Sequence, residues 1–507
     1  MLRKLLISAV LCLVGATAAQ PAIFYVDADA PGPTHNGSSW ATAYRSVGQA
    51  VGSTPAGCDI FVAEGIYRES VAITSNKRLY GGFLGHETSL VQRMAGAFRT
   101  VIDPGSAGRG IDVGYGVYAT IDGFTIRNGR ADKGAGIRCG TDTTTQILNC
   151  RIERCVATQW GGGIYTAPYS YGNINDCIIT DNRAPNGGGT YVEYHSYPVL
   201  RRCVIVRNHA TVSGGGAFGP YHAGPDFENC TIAFNSAEVS GGGAYDYYGS
   251  PMILNYCIVA FNSAPVGGGL FGGGSTSALT YSHCDLYGNE GGDIGGVIRP
   301  ASPAYGNISA DPLFLFPGSD EFRLRNDSPC AGIGAYPLGP PYDLDRVGIA
   351  KLLPDGTQVR LNRLTVTCVD GGTVYLQSPD RSAAITVQGL VGRSPGDLMA
   401  SVTGVLGTSL SGERVLTTSA SVVHASGGHF PKPLGMPIRS LPAALGLRVE
   451  TWGRVTELLP DGFTLFDGVA GVPIRWSGAV ADGSLVSVRG VYTIAADLLA
   501  SELVLHQ

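Results

Sequence analysis

Cysteines recur at Cys150, Cys177, Cys203, Cys230, Cys257 and Cys284, at intervals of 27, 26, 27, 27 and 27 residues. Five residues after each column position, counting from Gly123 one interval earlier, stand Asn128, Cys155, Asn182, Asn208, Asn235, Asn262 and Asn289. A glycine cluster follows at 161–163, 187–189, 214–216, 241–243 and 267–269, with Gly134 and Gly136 as a weaker form. Three residues before the cysteines come Ile147, Ile174, Leu200, Phe227, Leu254 and Tyr281. A fixed period of this size marks a solenoid, each period one unit that buries its apolar face only against its neighbours. The segments are short, β-branched and broken by glycine every few residues, which excludes helical repeats. One period holds three short strands with turns, so successive coils pair in parallel sheets about 4.8 Å apart and residues at one offset lie above one another. On this reading the cysteines face inward with the residues two positions later, Ile179, Ile205, Ile232 and Val259. The asparagines form a hydrogen-bonded ladder. The glycines make a corner where a side chain would clash or where φ is positive.

Residues 1–19 read as a secretory signal peptide: Arg3 and Lys4, an apolar stretch over 5–14, and Ala16-Thr17-Ala18 as the cleavage site. The apolar stretch is shorter than the ~20 residues a membrane span needs, and Leu11 is too bulky before Cys12 for lipoprotein processing. The expected location is secreted or cell-surface, with no transmembrane segment and a monomeric state. Export makes disulfides the first question for the cysteine column. Side chains running parallel from neighbouring coils suit that bond poorly, so buried thiols used as small apolar fillers are expected.

The coils, such as "CTIAFNSAEVSGGGAYDYYG", are preceded by "IFYVDADAPGPTHNGSSWATAYRSVGQAV", "IFVAEGIYRE" and "LYGGF" and followed by "ISADPLF" and "FRLRNDSPCAGIGAY". Together these stretches, over about 23–336, resemble the secreted bacterial right-handed parallel β-helix repeat proteins of the pectin-lyase-like superfamily. The resemblance implies a right-handed, three-sheet parallel β-helix, assigned to 20–346. At its start Trp40, Tyr44, Val47 and Val51 fall on one face of a short helix that Ser38 or Ser39 caps. Such a helix covers the apolar first coil and its unpaired strand edges.

The period ends before residue 347. Residues 347–426 and 446–507 each read as about five alternating strands with Asp-Gly or Gly-Gly turns, two small OB-like β-barrels joined by a Pro-rich linker over 427–445 with Pro431, Pro433, Pro437 and Pro442. The whole chain is therefore all-β. OB folds often bind nucleic acid. Residues 347–507, however, hold 12 Lys/Arg and 12 Asp/Glu, so no basic groove is expected and nucleic acid is not an expected partner. Subtracting these, and Arg3 and Lys4, from the chain's 35 basic and 40 acidic residues leaves 21 and 28 in the β-helix, a net −7.

Function on a solenoid sits on outer faces and turns. Counted from the last glycine of each cluster, offset 2 holds Tyr165, Tyr191, Phe218, Tyr245 and Phe271, offset 5 holds Tyr194, Tyr221 and Tyr248, and offset 6 holds Tyr169, His195 and His222. Glu193, Asp246 and Tyr247 lie close by. The offset-2 rings are expected to be a ladder stabilising the sheet. Tyr194, His195, Tyr221, His222, Asp246, Tyr247 and Tyr248 are the expected glycan-binding residues, rings stacking on sugars and polar groups bonding hydroxyls. The partner is then an extended polysaccharide or cell-surface glycan. Two alternatives stay open: a divergent polysaccharide lyase or glycoside hydrolase using Glu193, His195, His222 and Asp246, and a purely structural surface solenoid. The resemblance's catalytic signatures, a lyase Asp cluster with an "RxPxxR"-like stretch and the hydrolase "NTD", "DD" and "GHG" set, are not found. No cofactor is evident. A lyase would bring Ca²⁺, and His195 with His222 in adjacent coils are the candidate metal ligands.

Overall fold

The computed structural model describes residues 21–506 except 94–99, 299–304, 320, 326, 337–341, 345, 371, 379–380, 410–411, 427–432 and 494–496. The segment read as a signal peptide lies outside the described residues. Three long sheets run the length of the solenoid. The first has ten strands, from Ile23–Val26 to Thr280–Ser282. The second has nine, from Gly65–Tyr67 to Asp285–Tyr287, and the third nine, from Val71–Ile73 to Ile294–Gly296. Neighbouring coils pair in parallel and in register, as in Ile147↔Ile174, Leu200↔Phe227 and Phe227↔Leu254.

The expectation of three strands per coil is incomplete. A fourth sheet of five strands, from Arg130–Lys133 to Ser236–Ala237, lies between the second and third sheets. Its cause is local: after the ladder asparagine the chain stays extended, and small side chains let coils approach, as where Ala184 pairs with Ala210 and Ala210 with Ala237.

The inward columns are as the period requires. All six cysteines of the column are buried and free. Each Sγ points back at a carbonyl of the preceding coil, Cys203 at Ile174 O at 3.1 Å and Cys230 at Leu200 O at 3.3 Å. Burial raises the Cys139 and Cys155 thiols to about 12. The asparagine ladder is continuous from Asn182 to Asn289. Asn235 Oδ1 accepts from Asn208 N at 2.9 Å and Nδ2 at 3.0 Å, while its own Nδ2 donates to Ile205 O at 2.8 Å and Asn262 Oδ1 at 3.0 Å. Asp293 ends the ladder, accepting from Asn289 Nδ2 at 2.7 Å. Asn128 is a correction. Arg151 pairs with Thr125 and Glu153 with Arg127, so Cys155 stands over Gly129 and Asn128 over Arg154. Asn128 therefore occupies the outer left-handed position, φ 55°, and donates to Asp103 at 3.1 and 3.2 Å. The glycine corner has both features expected of it. Gly187 has φ 65°, and a Cβ on Gly188 would lie 2.6 Å from the Gly215 and His209 carbonyl oxygens.

The N-terminal cap is two pieces rather than one helix. A 3-10 turn, Trp40–Thr42, is capped by Ser39, and an α-helix, Val47–Ser53, by Ser46. Glu69 accepts from Val47 N at 2.7 Å and Gly48 N at 2.9 Å, anchoring the helix N-terminus on the first coils. At the other end, the described residues of 313–336 fold back over the outside of the second sheet. Phe314, Phe322, Leu324 and Cys330 are buried against Val204, Val206, Ala233 and Ile258. The neighbouring Leu315 and Phe316 pack instead against the core of the first C-terminal sheet.

That sheet and the one after it share one connectivity. Gln358–Asp370, Thr373–Gln377, Ala384–Gln388, Leu398–Thr408 and Arg414–Ala425 pair in the order first-second-third-fifth-fourth, and the first also pairs with the fourth. Arg448–Leu459, Gly462–Phe466, Gly471–Arg475, Leu485–Tyr492 and Leu498–His506 repeat it. The described part of the Pro-rich stretch holds a 3-10 helix, Ile438–Ala444, whose Ile438, Leu441 and Ala444 are buried in the second of these cores. Arg475 of the second sheet joins Asp370 of the first, Nη1 and Nη2 at 3.0 and 2.6 Å.

Candidate functional site

The offset-2 rings are packing elements. Tyr191 and Phe218 stack at 5.1 Å and 3°, Phe218 and Tyr245 at 4.8 Å and 2°, and Tyr245 and Phe271 at 5.1 Å and 18°. Tyr165, Tyr191 and Phe218 are buried. Trp160 stacks on Tyr191, and Lys133 Nζ sits 3.8 Å from the Trp160 ring centroid. Stacked and largely buried, these rings have little to offer a ligand.

The turn leading from the third sheet to the first is different. Its corner is a left-handed position, occupied from coil to coil by Gly116, Asp142, Tyr169, His195, His222 and Gly249, with φ between 54° and 76°. Glycine, aspartate and histidine take that conformation readily, and other corners of the coil hold Arg202, Phe234, Tyr256 and Phe261 in it as well. The corner is fixed from below by buried hydroxyls: Ser170 N donates to Ser196 Oγ at 3.1 Å, and Ser196 Oγ to Ala167 O at 2.7 Å. Tyr169 stacks on His195 at 5.8 Å and His195 on His222 at 5.6 Å. Tyr194 stands edge-on to that stack, at 84° to Tyr169, 61° to His195 and 73° to His222. Tyr194, Tyr221 and Tyr248 are 38%, 51% and 49% exposed, and Tyr247 meets Tyr221 edge-on at 5.5 Å.

Four further tyrosines belong to this surface and were not assigned from sequence. Tyr171 and Tyr197 stack at 6.2 Å where the first sheet begins, and Tyr115 and Tyr118 stand exposed in earlier coils. Tyr171 and Tyr197 share offset 8 after the glycines, a column whose later members are Gly224 and Pro251, so only two rings signal it. From Tyr115 to Tyr248 the strip spans six coils, about 24 Å at the parallel-strand spacing, with rings in five of them, the Asp142 coil carrying none.

The acidic candidates do not join the strip. Asp246 is fully buried, its Oδ2 accepting from Ser277 Oγ at 2.5 Å and Ala278 N at 3.2 Å. It stands one residue from Tyr245 in a strand, so it points to the opposite, inner face. Burial raises its carboxyl to about 6. Glu193 accepts from the Tyr165 hydroxyl at 2.9 Å. Burial, with Glu193 adding to it, pushes that hydroxyl above its usual range. His195 Nδ1 lies 3.4 Å from the Tyr197 hydroxyl. The two histidine rings lie face to face instead of converging on a point between them. Among the described residues no group of three His, Cys, Asp or Glu side chains is arranged to hold a metal ion. No described helix is long and apolar enough to cross a membrane.

Residues 96–219 and 135–299 each match the family model described as a right handed beta helix region. No curated protein matches the sequence. Among solved structures, a pectate lyase is similar at 12% identity, over 62% of this chain and 96% of that one, with a TM-score of 0.38. A pectin methylesterase from Aspergillus niger is similar at 13% identity, over 58% of this chain and 92% of that one, with a TM-score of 0.33. The activities of those enzymes remain theirs, and what the family match establishes here is architectural: the parallel coils of residues 100–298 are a right-handed β-helix.

Proposed function

We propose that this protein is an exported, monomeric, glycan-binding β-helix that holds an extended polysaccharide along the aromatic strip, without catalysing its cleavage. The observation that carries the reading is the run of exposed aromatic rings along one turn of the coil. Tyr169, Tyr194, Tyr221 and Tyr248 stand 38–51% exposed there, ring area that the packing of the solenoid does not use. Tyrosines beside them add exposed ring area in consecutive coils, at a spacing close to one sugar unit. The leader-like start of the chain supports export. The C-terminal sheets, for which we propose boundaries of 347–426 and 446–507, are read as OB-like barrels. Their closed five-strand order and neutral charge suit docking on the β-helix through residues 313–316, or glycan contact, rather than nucleic acid.

The test is titration of neutral and acidic polysaccharides against the protein and Tyr221→Ala. Each ring stacked on a sugar contributes about 1 kcal/mol, so Tyr221→Ala should weaken binding about fivefold with an unchanged melting temperature. A fully folded Tyr221→Ala variant that binds as tightly as the parent defeats the reading and leaves a structural solenoid.

A further inference from the structure

The strip borders the outer face of the first sheet, and the residues there differ from those of an ion-binding surface. Next to the corner runs the row Thr144–Tyr171, which Tyr197 extends by stacking on Tyr171 at 6.2 Å. Two residues further along each strand, on the same face, runs the row Thr120–Gln146–Asn173–Val199–Asp226. Asn173 Nδ2 donates to Gln146 Oε1 at 3.0 Å, and Arg201 Nη1 approaches Asn173 Oδ1 at 3.5 Å. Among the described residues the Gln146 amide NH₂ has no partner. The result is an amide shelf one strand-step from two half-exposed tyrosines.

The charges around the shelf are already committed or negative. Among the described residues, Arg201 is the one cation that the strands of this sheet carry between Tyr118 and Ser282, and Glu228 holds it at 2.5 and 3.1 Å; Arg93, reaching in from a neighbouring loop, is paired with Asp122. Asp142 receives the Tyr115 hydroxyl at 3.2 Å, and Glu193 that of Tyr165. Asp226 Oδ1 is buried without a partner. The chain's single lysine between 78 and 350, Lys133, is spent on Trp160. A polyuronate laid on this surface would bring a carboxylate per unit to a face holding Asp226, Glu228 and Asp142 and one neutralised guanidinium. A neutral chain would bring hydroxyls, which amides and tyrosine hydroxyls are suited to meet.

We infer that the polysaccharide bound on the strip is a neutral one, and that Gln146 and Asn173 hydrogen-bond its hydroxyls while Tyr171 and Tyr197 pack against the sugar rings. This rests on the strip being a glycan site, and the experiment separates the two claims. A neutral β-glucan and galactan, and polygalacturonate and alginate, are titrated against the full chain, Tyr221→Ala, the double variant Gln146→Ala/Asn173→Ala, and Asn173→Lys. Melting curves accompany each. The expected result is binding of a neutral chain that changes less than twofold between low and high salt, with uronates at least tenfold weaker. The double variant should lose about tenfold, the equivalent of two neutral hydrogen bonds, without a change in melting. Asn173→Lys should gain uronate binding that salt removes. Uronate binding as tight as neutral, abolished in Tyr221→Ala, overturns the inference and keeps the strip. Parental affinity in a folded double variant removes Gln146 and Asn173 from the site. Failure of every polysaccharide to bind overturns both claims.

Discussion

Replacing Asn235 with Ala removes the centre of the buried amide ladder. Four hydrogen bonds go: those from its Nδ2 to Ile205 O and Asn262 Oδ1, and those its Oδ1 accepts from Asn208 N and Nδ2. Asn208 Nδ2 still has Ile179 O at 2.9 Å, and Asn262 Oδ1 still has Asn235 N at 3.0 Å. Asn208 N keeps nothing, in a residue with no solvent exposure. Four bonds at a net ~0.5–1.5 kcal/mol each, with an orphaned buried N–H within that sum, give a loss of about 3–5 kcal/mol. Asn128→Ala, which removes the outer contact with Asp103 and puts alanine at φ 55°, should cost less, about 1–2 kcal/mol. Chemical denaturation followed by far-UV circular dichroism measures both. Equal shifts in midpoint for the two variants would refute the assignment of Asn128 to the outside and of Asn235 to a cooperative ladder.

The ladder's first position is a thiol, so Cys155→Asn should extend it by donating to Ile126 O and Asn182 Oδ1 and raise stability by about 1 kcal/mol; a destabilised variant would mean that Gly136 leaves no room for the amide. Gly188→Ala should be strongly destabilising, because its Cβ would meet two backbone oxygens at 2.6 Å, and an unchanged melting temperature would contradict the corner geometry. Asp246 and Asp285 are both raised to about 6 by burial, so the folded state holds their protons more tightly than the unfolded state. Their burdens on stability are present at pH 8 and are lifted as the pH falls through 6 towards the unfolded value of about 4, at most about 3 kcal/mol each. Asp246→Asn should flatten the rise in melting temperature between pH 8 and 5, and an unaltered slope would clear this residue of the effect. The cysteine column should resist thiol reagents at pH 7 until the protein is unfolded, as residue-resolved mass spectrometry would record; fast labelling of Cys203 or Cys230 in the folded state would contradict its burial.

The parts of the fold visible in the sequence were those where stacking forces one residue type into a column. Buried thiols, amides and corner glycines each have a single geometric solution, and their spacing fixed the coil. The fourth sheet was not legible because it pairs through alanines and irregular registers such as that between Ala184 and Asn186, which leave no alternation to read. Asn128 misled because its left-handed turn accepts asparagine as readily as the ladder does, one residue later. The helix over Trp40 to Val51 had the right apolar spacing, but Ser46 and Glu69 set a second N-terminus that a spacing argument does not contain. In the candidate site, Tyr194, His195, Tyr221, His222 and Tyr248 could be singled out as loop aromatics, whereas Tyr115, Tyr118, Tyr171 and Tyr197 could not, because their columns repeat a ring at most twice. Asp246 was not legible either, since strand alternation turns it inward from the same turn that presents Tyr247 and Tyr248. Gln146 and Asn173 were silent because single amides on a sheet face carry no periodic signal.

The central claim is that one extended neutral chain lies along the strip, crossing coil after coil. Isothermal titration with neutral oligosaccharides of increasing length tests it most directly. At about 4.8 Å per coil, affinity should grow with each added unit, level off near five or six units, and fall in Tyr221→Ala for the long ligands more than for the short. Affinity that does not depend on length, or that Tyr221→Ala leaves intact at every length, would contradict a chain held along the strip.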